Sequence, residues 1–212
     1  MDETSLHQER NRLIRKLESI ADLSDEERRA IFGLPMTVRT FATDKDIVRE
    51  GDRPSECFLV VEGFAGSYKH SGDGKRQFMS FYTPGDIPDL QSLHLDVMDH
   101  NISTLVPSKL AFIPHAALHE ATRRYPGLAA ALWRDTLIDA AIFREWIVNV
   151  GRRPAYARMA HLLCELAVKL KAVGLMADWT FELPLTQTEL GDAMGLSTVH
   201  VNRLSRNCGP TA

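Results

Sequence analysis

The stretch TQTELGDAMGLSTVHVNRLSR, Thr186–Arg206, decides how the C-terminal part of this chain folds. Thr186 and Glu189 have the spacing of a capping box, in which each side chain bonds a free backbone N–H at the start of a helix. Gly195 permits a sharp turn after about eight residues, and Ser197 can cap the helix that follows. Two short helices joined by a glycine turn are typical of a helix-turn-helix.

The second helix of this motif separates apolar positions from polar ones. Val201 and Leu204 can face inward, which leaves Thr198, Val199, His200, Asn202 and Arg203 to project outward. Such a helix fits the DNA major groove, where arginine reads guanine and asparagine reads adenine. A generic helical hairpin is the alternative interpretation.

A long helix precedes the motif and ends at a hinge. Residues 128–150 are rich in Ala and Leu and contain no Gly or Pro, and Gly151 and Pro154 then mark a boundary. The apolar residues lie nearly all around the helix axis, so the helix must be buried on more than one face. We expect one face to cover the preceding part of the chain and the other to pair with a second copy. Burial inside a single larger core is the alternative.

The part before the long helix has a strand pattern. Residues 37–114 contain short stretches rich in Val, Ile, Phe, Tyr and Thr with Gly or Pro at the breaks, and Gly72–Gly74 suits a hairpin turn. Two short helices come before them, the second opened by a capping box of Ser24 and Glu27. The predicted fold class is α+β: an antiparallel β-roll of the jelly-roll type, a long dimerisation helix and a C-terminal helix-turn-helix. The predicted domains are 1–126, 127–151 and 152–212.

Composition excludes several classes of protein. The chain has 212 residues, 44% of them hydrophobic, and a net charge of −3, which excludes disorder across most of its length. The longest apolar run, Leu128–Trp133, is far too short to span a bilayer, and the charged N-terminus lacks a secretory signal. Three widely spaced cysteines predict free thiols in a reducing cytoplasm. The acidic body and mildly basic C-terminal part weakly favour a polyanionic partner.

The ordered motifs resemble those of the Crp/Fnr family of transcription regulators from about residue 5 to residue 206. The resemblance rests on Glu50-Gly51-Asp52, FLVVEG ending at Gly63, Asp73-Gly74, Pro84-Gly85-Asp86, the Arg-Pro hinge and the turn of Thr186–Ser197. It implies a sensory β-roll, a homodimer and a winged helix-turn-helix that reads a palindromic site on double-stranded DNA, with RNA polymerase as a further partner. The implied DNA-binding residues are Thr186 and Gln187 on phosphates, with Ser197, Thr198, Val199, His200, Asn202 and Arg203 at or beside the bases.

The sequence departs from the family's cyclic-nucleotide pattern. The arginine that would pair with the phosphate is missing, and Asp99 falls near its place, so like charges would repel. We therefore expect no bound cyclic nucleotide, and no iron–sulfur cluster because the cysteine cluster is absent. Histidines such as His115 and His119 leave haem open as an effector, and no metal site is predicted. The predicted effector pocket contains Phe81, Asp86, Asp89, Gln91, Ser92, Asp99 and Asn101.

The C-terminus is a second departure. After Leu204 the chain reads SRNCGPTA, which leaves a second helix of barely two turns and no sequence for the β-hairpin wing. We expect weaker DNA binding as a result, because the wing normally adds phosphate contacts. A ligand-binding or dimerisation module without DNA binding is the alternative function. An enzyme on a cupin-like roll is not expected, because residues 37–114 contain no H-x-H metal set.

Overall fold

A computed structural model describes residues 3–178 and 180–207 of the chain. Its helices are α1 (Glu3–Glu18), α2 (Asp25–Phe32), α3 (His115–Arg124), α4 (Pro126–Arg152), α5 (Ala155–Ala172), α6 (Gln187–Met194) and α7 (Thr198–Asn207). Its strands are β1 (Thr37–Phe41), β2 (Asp46–Val48), β3 (Glu56–Glu62), β4 (Ala65–His70), β5 (Arg76–Tyr82), β6 (Asn101–Thr104) and β7 (Ser108–Pro114). A short 3₁₀ helix, Leu90–Leu93, follows β5.

The strands form two antiparallel sheets that pack face to face. One sheet has the order β1-β7-β3 and the other the order β2-β6-β4-β5. The β4–β5 hairpin turns at the predicted glycines, with Ala65 opposite Tyr82 and His70 opposite Arg76. Together with the helices, these sheets make the α+β roll that the sequence predicts.

Strand β3 contains a continuous apolar run, CFLVV, with no alternation of apolar and polar residues. Cys57, Leu59 and Val61 pack toward the helices, whereas Phe58 and Val60 belong to the core between the two sheets. All five residues are at most 1% exposed. A strand that is covered on both faces needs apolar side chains at successive positions. The β1-β7-β3 sheet is therefore the central layer of the roll.

The N-terminal helices and the first half of α4 cover the outer face of that sheet. Leu13 and Leu17 of α1 and Ile31 of α2 are buried there. The capping box that begins α2 is confirmed: the Ser24 hydroxyl accepts the Glu27 backbone N–H at 3.3 Å, and the Glu27 carboxylate accepts that of Ser24 at 2.8 Å. Local capping thus places α2 so that its apolar face meets the sheet.

The second half of α4 and the C-terminal helices cover the other sheet. Phe78 and Phe81 of β5 share a core with Trp146 of α4 and with Leu162 and Leu166 of α5. The Phe81 and Trp146 rings lie 6.2 Å apart. This core runs across the boundary predicted between residues 151 and 152. The boundary therefore marks the end of a helix and not the edge of a separate core.

Two sequence features fall partly outside the description. Trp179 and residues 208–212, which contain Cys208 and the predicted short tail, are not among the described residues.

Cys57 is buried and Cys164 is exposed, and neither forms a disulfide. None of the helices in the described ranges is long and apolar enough to cross a bilayer.

Candidate nucleic-acid interface

Helix α6 begins and ends where the sequence indicates. The Thr186 hydroxyl accepts the Glu189 backbone N–H at 3.2 Å, and the Glu189 carboxylate accepts the Thr186 backbone N–H at 2.6 Å. Gly195 ends the helix with φ 64°, in the left-handed region that favours glycine. The capping box and the glycine turn of the motif are confirmed.

A second glycine, Gly191, is required by the close approach of α6 to this turn. A Cβ at Gly191 would lie 2.7 Å from the backbone oxygen of Leu196, and the Leu196 N–H donates to the Gly191 carbonyl at 3.0 Å. The turn therefore folds back onto the helix at a point with no room for a side chain. Sequence analysis did not single out Gly191. The sequence did offer a signal, because Gly191 lies in the interior of a short helix. Glycine destabilises a helix at such a position, so its presence indicates a packing requirement.

Helix α7 buries one face and exposes the other. Val201 and Leu204 are 0% and 8% exposed and pack in the core shared with α5 and α6. The Ser197 hydroxyl accepts the His200 backbone N–H at 3.3 Å and so caps the helix. Val199 is 79% exposed. Of the other predicted contact residues, Thr186, Gln187, Ser197, Thr198, Asn202 and Arg203 are also exposed, and His200 is half-buried.

The length of α7 corrects one expectation. The helix spans 10 residues, close to three turns, whereas the sequence predicted barely two. It continues through Ser205 and Arg206, because the buried Leu204 still anchors it to α6. Arg206 is exposed. It lies on one stripe with Val199, Asn202 and Arg203, at positions i, i+3, i+4 and i+7. Arg206 was not among the predicted contact residues, although the same helical spacing places it on this stripe.

Hydrogen bonds of Arg153 and Arg158 connect the end of α6 to the end of α4. The Arg158 guanidinium donates to the backbone oxygen of Met194 at 2.7 Å and to that of Arg153 at 2.8 Å. Asn149, which is fully buried, accepts from the Arg153 guanidinium and donates to the Arg158 backbone oxygen, both at 3.4 Å. The direction of α4 therefore fixes the orientation of the helix-turn-helix.

Strand β5 also contacts α6 directly. The Gln77 side-chain amide donates to the backbone oxygen of Ala193 at 2.9 Å. The Arg76 guanidinium lies 3.2 Å from the Asp192 carboxylate and stacks over the Phe78 ring at 4.5 Å. The roll thus reaches the helix-turn-helix through side chains as well as through the hinge. No sequence motif indicated this contact, because its two sides lie more than a hundred residues apart.

Helix α4 carries an apolar stripe that nothing covers in a single chain. Trp133, Leu137, Ile147 and Val148 are 68%, 55%, 74% and 45% exposed. Together with Ala140 and Arg144, which lie between Leu137 and Ile147, they fall on one face of the helix with the repeat of about 3.5 residues that pairs two helices. We call these four residues the α4 seam. Exposed apolar side chains grouped on one face of a helix are typical of an interaction surface.

A cavity of about 570 Å³ lies beside the α4 seam, between α4, β5 and the segment that follows β5. Phe78 and Trp146 form apolar walls, and Ile147 belongs both to the cavity and to the seam. Gln91 and Asp99, two of the predicted effector residues, also line it. The cavity is therefore in contact with the helix that leads to the hinge.

Two protein-family profiles match this chain. The profile of the cyclic nucleotide-binding domain matches residues 38–125, and that of the Crp-like helix-turn-helix domain matches residues 157–207. The chain belongs to the Crp/Fnr family. It is a DNA-binding transcription regulator, as the sequence motifs predict.

Individual relatives of the regulator agree with this assignment. The transcriptional activator protein FnrL of Cereibacter sphaeroides is 27% identical over 171 residues, which cover 78% of this chain and 67% of FnrL. The transcriptional activator protein FnrA of Stutzerimonas stutzeri is 24% identical over 166 residues, 78% of this chain and 68% of FnrA. The structure of FixK2 from Bradyrhizobium japonicum has the same fold, with a TM-score of 0.75 and 23% identity over 84% of this chain and 90% of that chain.

Five of the seven effector residues predicted for this regulator do not line the cavity. Phe81 is fully buried in the core beneath α5. Asp86 forms an ion pair with Lys16 of α1 at 2.7 Å. Burial opposes ionisation of Asp86, yet Lys16 and a second lysine hold its pKa below the usual value. The Asn101 side chain accepts the Glu50 backbone N–H at 3.1 Å. These three side chains have partners or neighbours within the roll.

Asp89 and Ser92 have internal partners as well. One Asp89 oxygen accepts the Phe58 backbone N–H at 2.9 Å, and burial raises the pKa of this carboxyl group to about 8. The Ser92 hydroxyl lies 3.4 Å from the Cys57 sulfur and 2.9 Å from His115 Nε2. The seven residues are neighbours in sequence, but the structure turns most of them into the protein.

Proposed function

We propose that this regulator binds a two-fold symmetric operator as a homodimer joined along the α4 seam. The single observation that carries the proposal is the exposed stripe of Val199, Asn202 and Arg203 on a helix whose opposite face is buried. In a dimer with paired α4 helices, two copies of α7 can enter successive major grooves about 34 Å apart.

The side chains on the stripe define what the operator would contain. Arg203 can donate two hydrogen bonds to guanine, and Asn202 can bond adenine in the same bidentate way. Val199 offers only an apolar contact, for which the methyl group of thymine is the partner. Thr186 and Gln187, at the N-terminal end of α6, would bond backbone phosphates, where the free N–H groups and the helix dipole favour an anion.

The α4 seam provides the apolar surface for the dimer. The four seam residues are exposed on α4 in a single chain, and covering them removes apolar surface from water. Because α4 runs into the hinge at Asn149 and Arg153, a change in how two α4 helices pair would change the distance between the two α7 helices. We propose that the roll senses a signal through the cavity beside this seam.

A mobility-shift assay on promoter DNA tests the proposal. Arg203→Ala should weaken binding to the selected site by about 1–3 kcal/mol and relax the preference at one base position. Arg29→Ala, an exposed arginine on α2, removes the same charge far from α7 and should leave affinity unchanged. Equal losses in the two variants, or no loss in either, would show that α7 does not read bases.

Light scattering on the same samples tests the dimer. Replacing Ile147 by Glu should give monomers, because a charge on the α4 seam cannot be buried without a partner. A wild-type dimer that ignores DNA at low salt would instead support a ligand-binding or dimerisation module. Contact with RNA polymerase stays a prediction, which transcription from a template carrying the selected site would test.

A further inference from the structure

The lining of the cavity beside the α4 seam has an unusual charge pattern. Phe78, Phe143 and Trp146 supply aromatic walls, and Asp99 and Asp139 supply two carboxylates. None of the fifteen described residues that line the cavity is a lysine or an arginine. A phosphate or carboxylate placed there would meet the two carboxylates and neither a lysine nor an arginine, with His100 already paired to Asp99 through Nδ1.

Asp139 is the acidic group best placed to recognise a ligand. It is half-buried on α4, on the side that faces the cavity, and no hydrogen bond or ion pair engages its carboxylate within the described part of the chain. Asp99, by contrast, already pairs with His100 Nδ1 at 2.8 Å. A carboxylate withdrawn from water is normally paired, so the open carboxylate of Asp139 offers a partner to a cation in the cavity.

The lysines behind Asp139 do not satisfy it, because each one is bound elsewhere. Lys16 lies 2.7 Å from Asp86 and 2.8 Å from Asp135. Lys169 donates to a backbone oxygen of β5 at 2.9 Å and lies 3.8 Å from Glu165. Two lysines thus face four carboxylates, those of Asp86, Asp135, Asp139 and Glu165. Positive charge is therefore lacking on the side of Asp139 that faces the cavity.

The ionisation of Asp139 agrees with this geometry. Burial raises its pKa to about 6, and the neighbouring Asp135 and Asp86 add to the rise, whereas Lys169 and Lys16 oppose it. A cation in the cavity would favour the ionised form and remove the cost of leaving it unpaired.

We propose that the effector of this regulator is a small apolar, aromatic or branched molecule with a protonated amine, and that the amine pairs with Asp139. The inference rests on the proposed function, in which the roll senses a signal at this cavity. The ammonium would lie at Asp139 and the apolar body between Phe78 and Trp146. Gln77, which also lines the cavity, bonds the Ala193 backbone oxygen of α6 and so connects an occupied cavity to the DNA-binding helices.

Isothermal titration calorimetry with matched probes tests the proposal on the full-length dimer. The probes are 2-phenylethylamine, 2-phenylethanol and phenylacetate, which share a ring and differ in charge, together with cyclic AMP. We expect the amine to bind at least tenfold more tightly than the alcohol, and the two anions to show no detectable binding. Anions that bind as tightly as the amine would overturn the proposal. So would a dimer that binds none of the probes.

Two variants identify the residue responsible. Asp139→Asn should lower the affinity for 2-phenylethylamine at least tenfold and leave that for 2-phenylethanol unchanged. Asp22→Asn, an exposed acid in the segment between α1 and α2 that does not line the cavity, should change neither. An unchanged ratio of amine to alcohol affinity in Asp139→Asn would refute the role of this carboxylate. These titrations contain no DNA, so their outcome is independent of the mobility-shift assay. Binding of the amine without binding of DNA would disprove only the proposed function. Binding of DNA without binding of the amine would disprove only this inference.

Discussion

Alanine at two helical glycines should change stability in opposite directions. Alanine in a helix interior stabilises a protein by about 0.5–1 kcal/mol relative to glycine. Gly151 lies in the last turn of α4 and nothing lies within 4 Å of the added Cβ, so we expect a gain of up to this size. At Gly191 the Cβ would lie 2.7 Å from the Leu196 backbone oxygen, and forcing atoms into filled space costs about 1–3 kcal/mol. The net result at Gly191 is a loss of up to about 2.5 kcal/mol.

Thermal unfolding at one protein concentration measures both variants. For a chain of this size each kcal/mol shifts Tm by about 2–4 °C, so Gly191→Ala should lower Tm by up to about 10 °C while Gly151→Ala raises it. Because the turn must open to admit the methyl group, α7 moves relative to α6, and Gly191→Ala should also lose affinity for DNA. A Gly191→Ala protein as stable as Gly151→Ala would show that α6 and the turn are not in this close contact.

Three further predictions concern the roll and the motif. Lys16→Met leaves two buried carboxylates without their partner and should lower the free energy of unfolding by about 3 kcal/mol in urea titrations; an unchanged midpoint would mean that the ion pairs do not hold α1. Thr186→Ala removes a helix cap and should cost about 1 kcal/mol, whereas Thr188→Ala, two residues on and exposed, should cost less than half of that. Asp89 has a folded-state pKa of about 8, above its unfolded value, so its contribution to stability falls as pH rises from about 4 to 8. The free energy of unfolding of Asp89→Asn should therefore rise relative to that of the wild type as the pH increases over that range, when unfolding is measured at several pH values. Parallel pH profiles of the two proteins would contradict the raised pKa of Asp89.

Local signals in the sequence predicted most of the helix-turn-helix. The capping boxes at Ser24 and Thr186 and the turn at Gly195 depend on residues three to nine positions apart, so their geometry follows from short-range hydrogen bonding. The burial of Val201 and Leu204 and the exposure of Val199 follow from helical periodicity in the same way. The sequence underestimated the length of α7, because helix ends depend on tertiary packing more than on propensity.

The effector residues show where prediction from sequence stops. Asp86, Asp89 and Ser92 lie within one short segment, and proximity in the chain suggested a shared pocket. The structure gives each of them a partner from a distant element: Lys16 of α1, the Phe58 backbone of β3, and His115 of α3. A segment without regular structure does not determine which way its side chains turn, so its polar groups follow the partners that the fold supplies.

The sequence by itself determined the order of elements, the helix-turn-helix and the exposed stripe on α7, because these depend on hydrogen bonds and periodicity within one stretch of chain. Tertiary structure alone decided the approach of Gly191 to Leu196, the bond from Gln77 to Ala193 and the open carboxylate of Asp139. Each of these depends on how separate elements pack, and close packing of side chains from distant positions is not encoded in any local pattern.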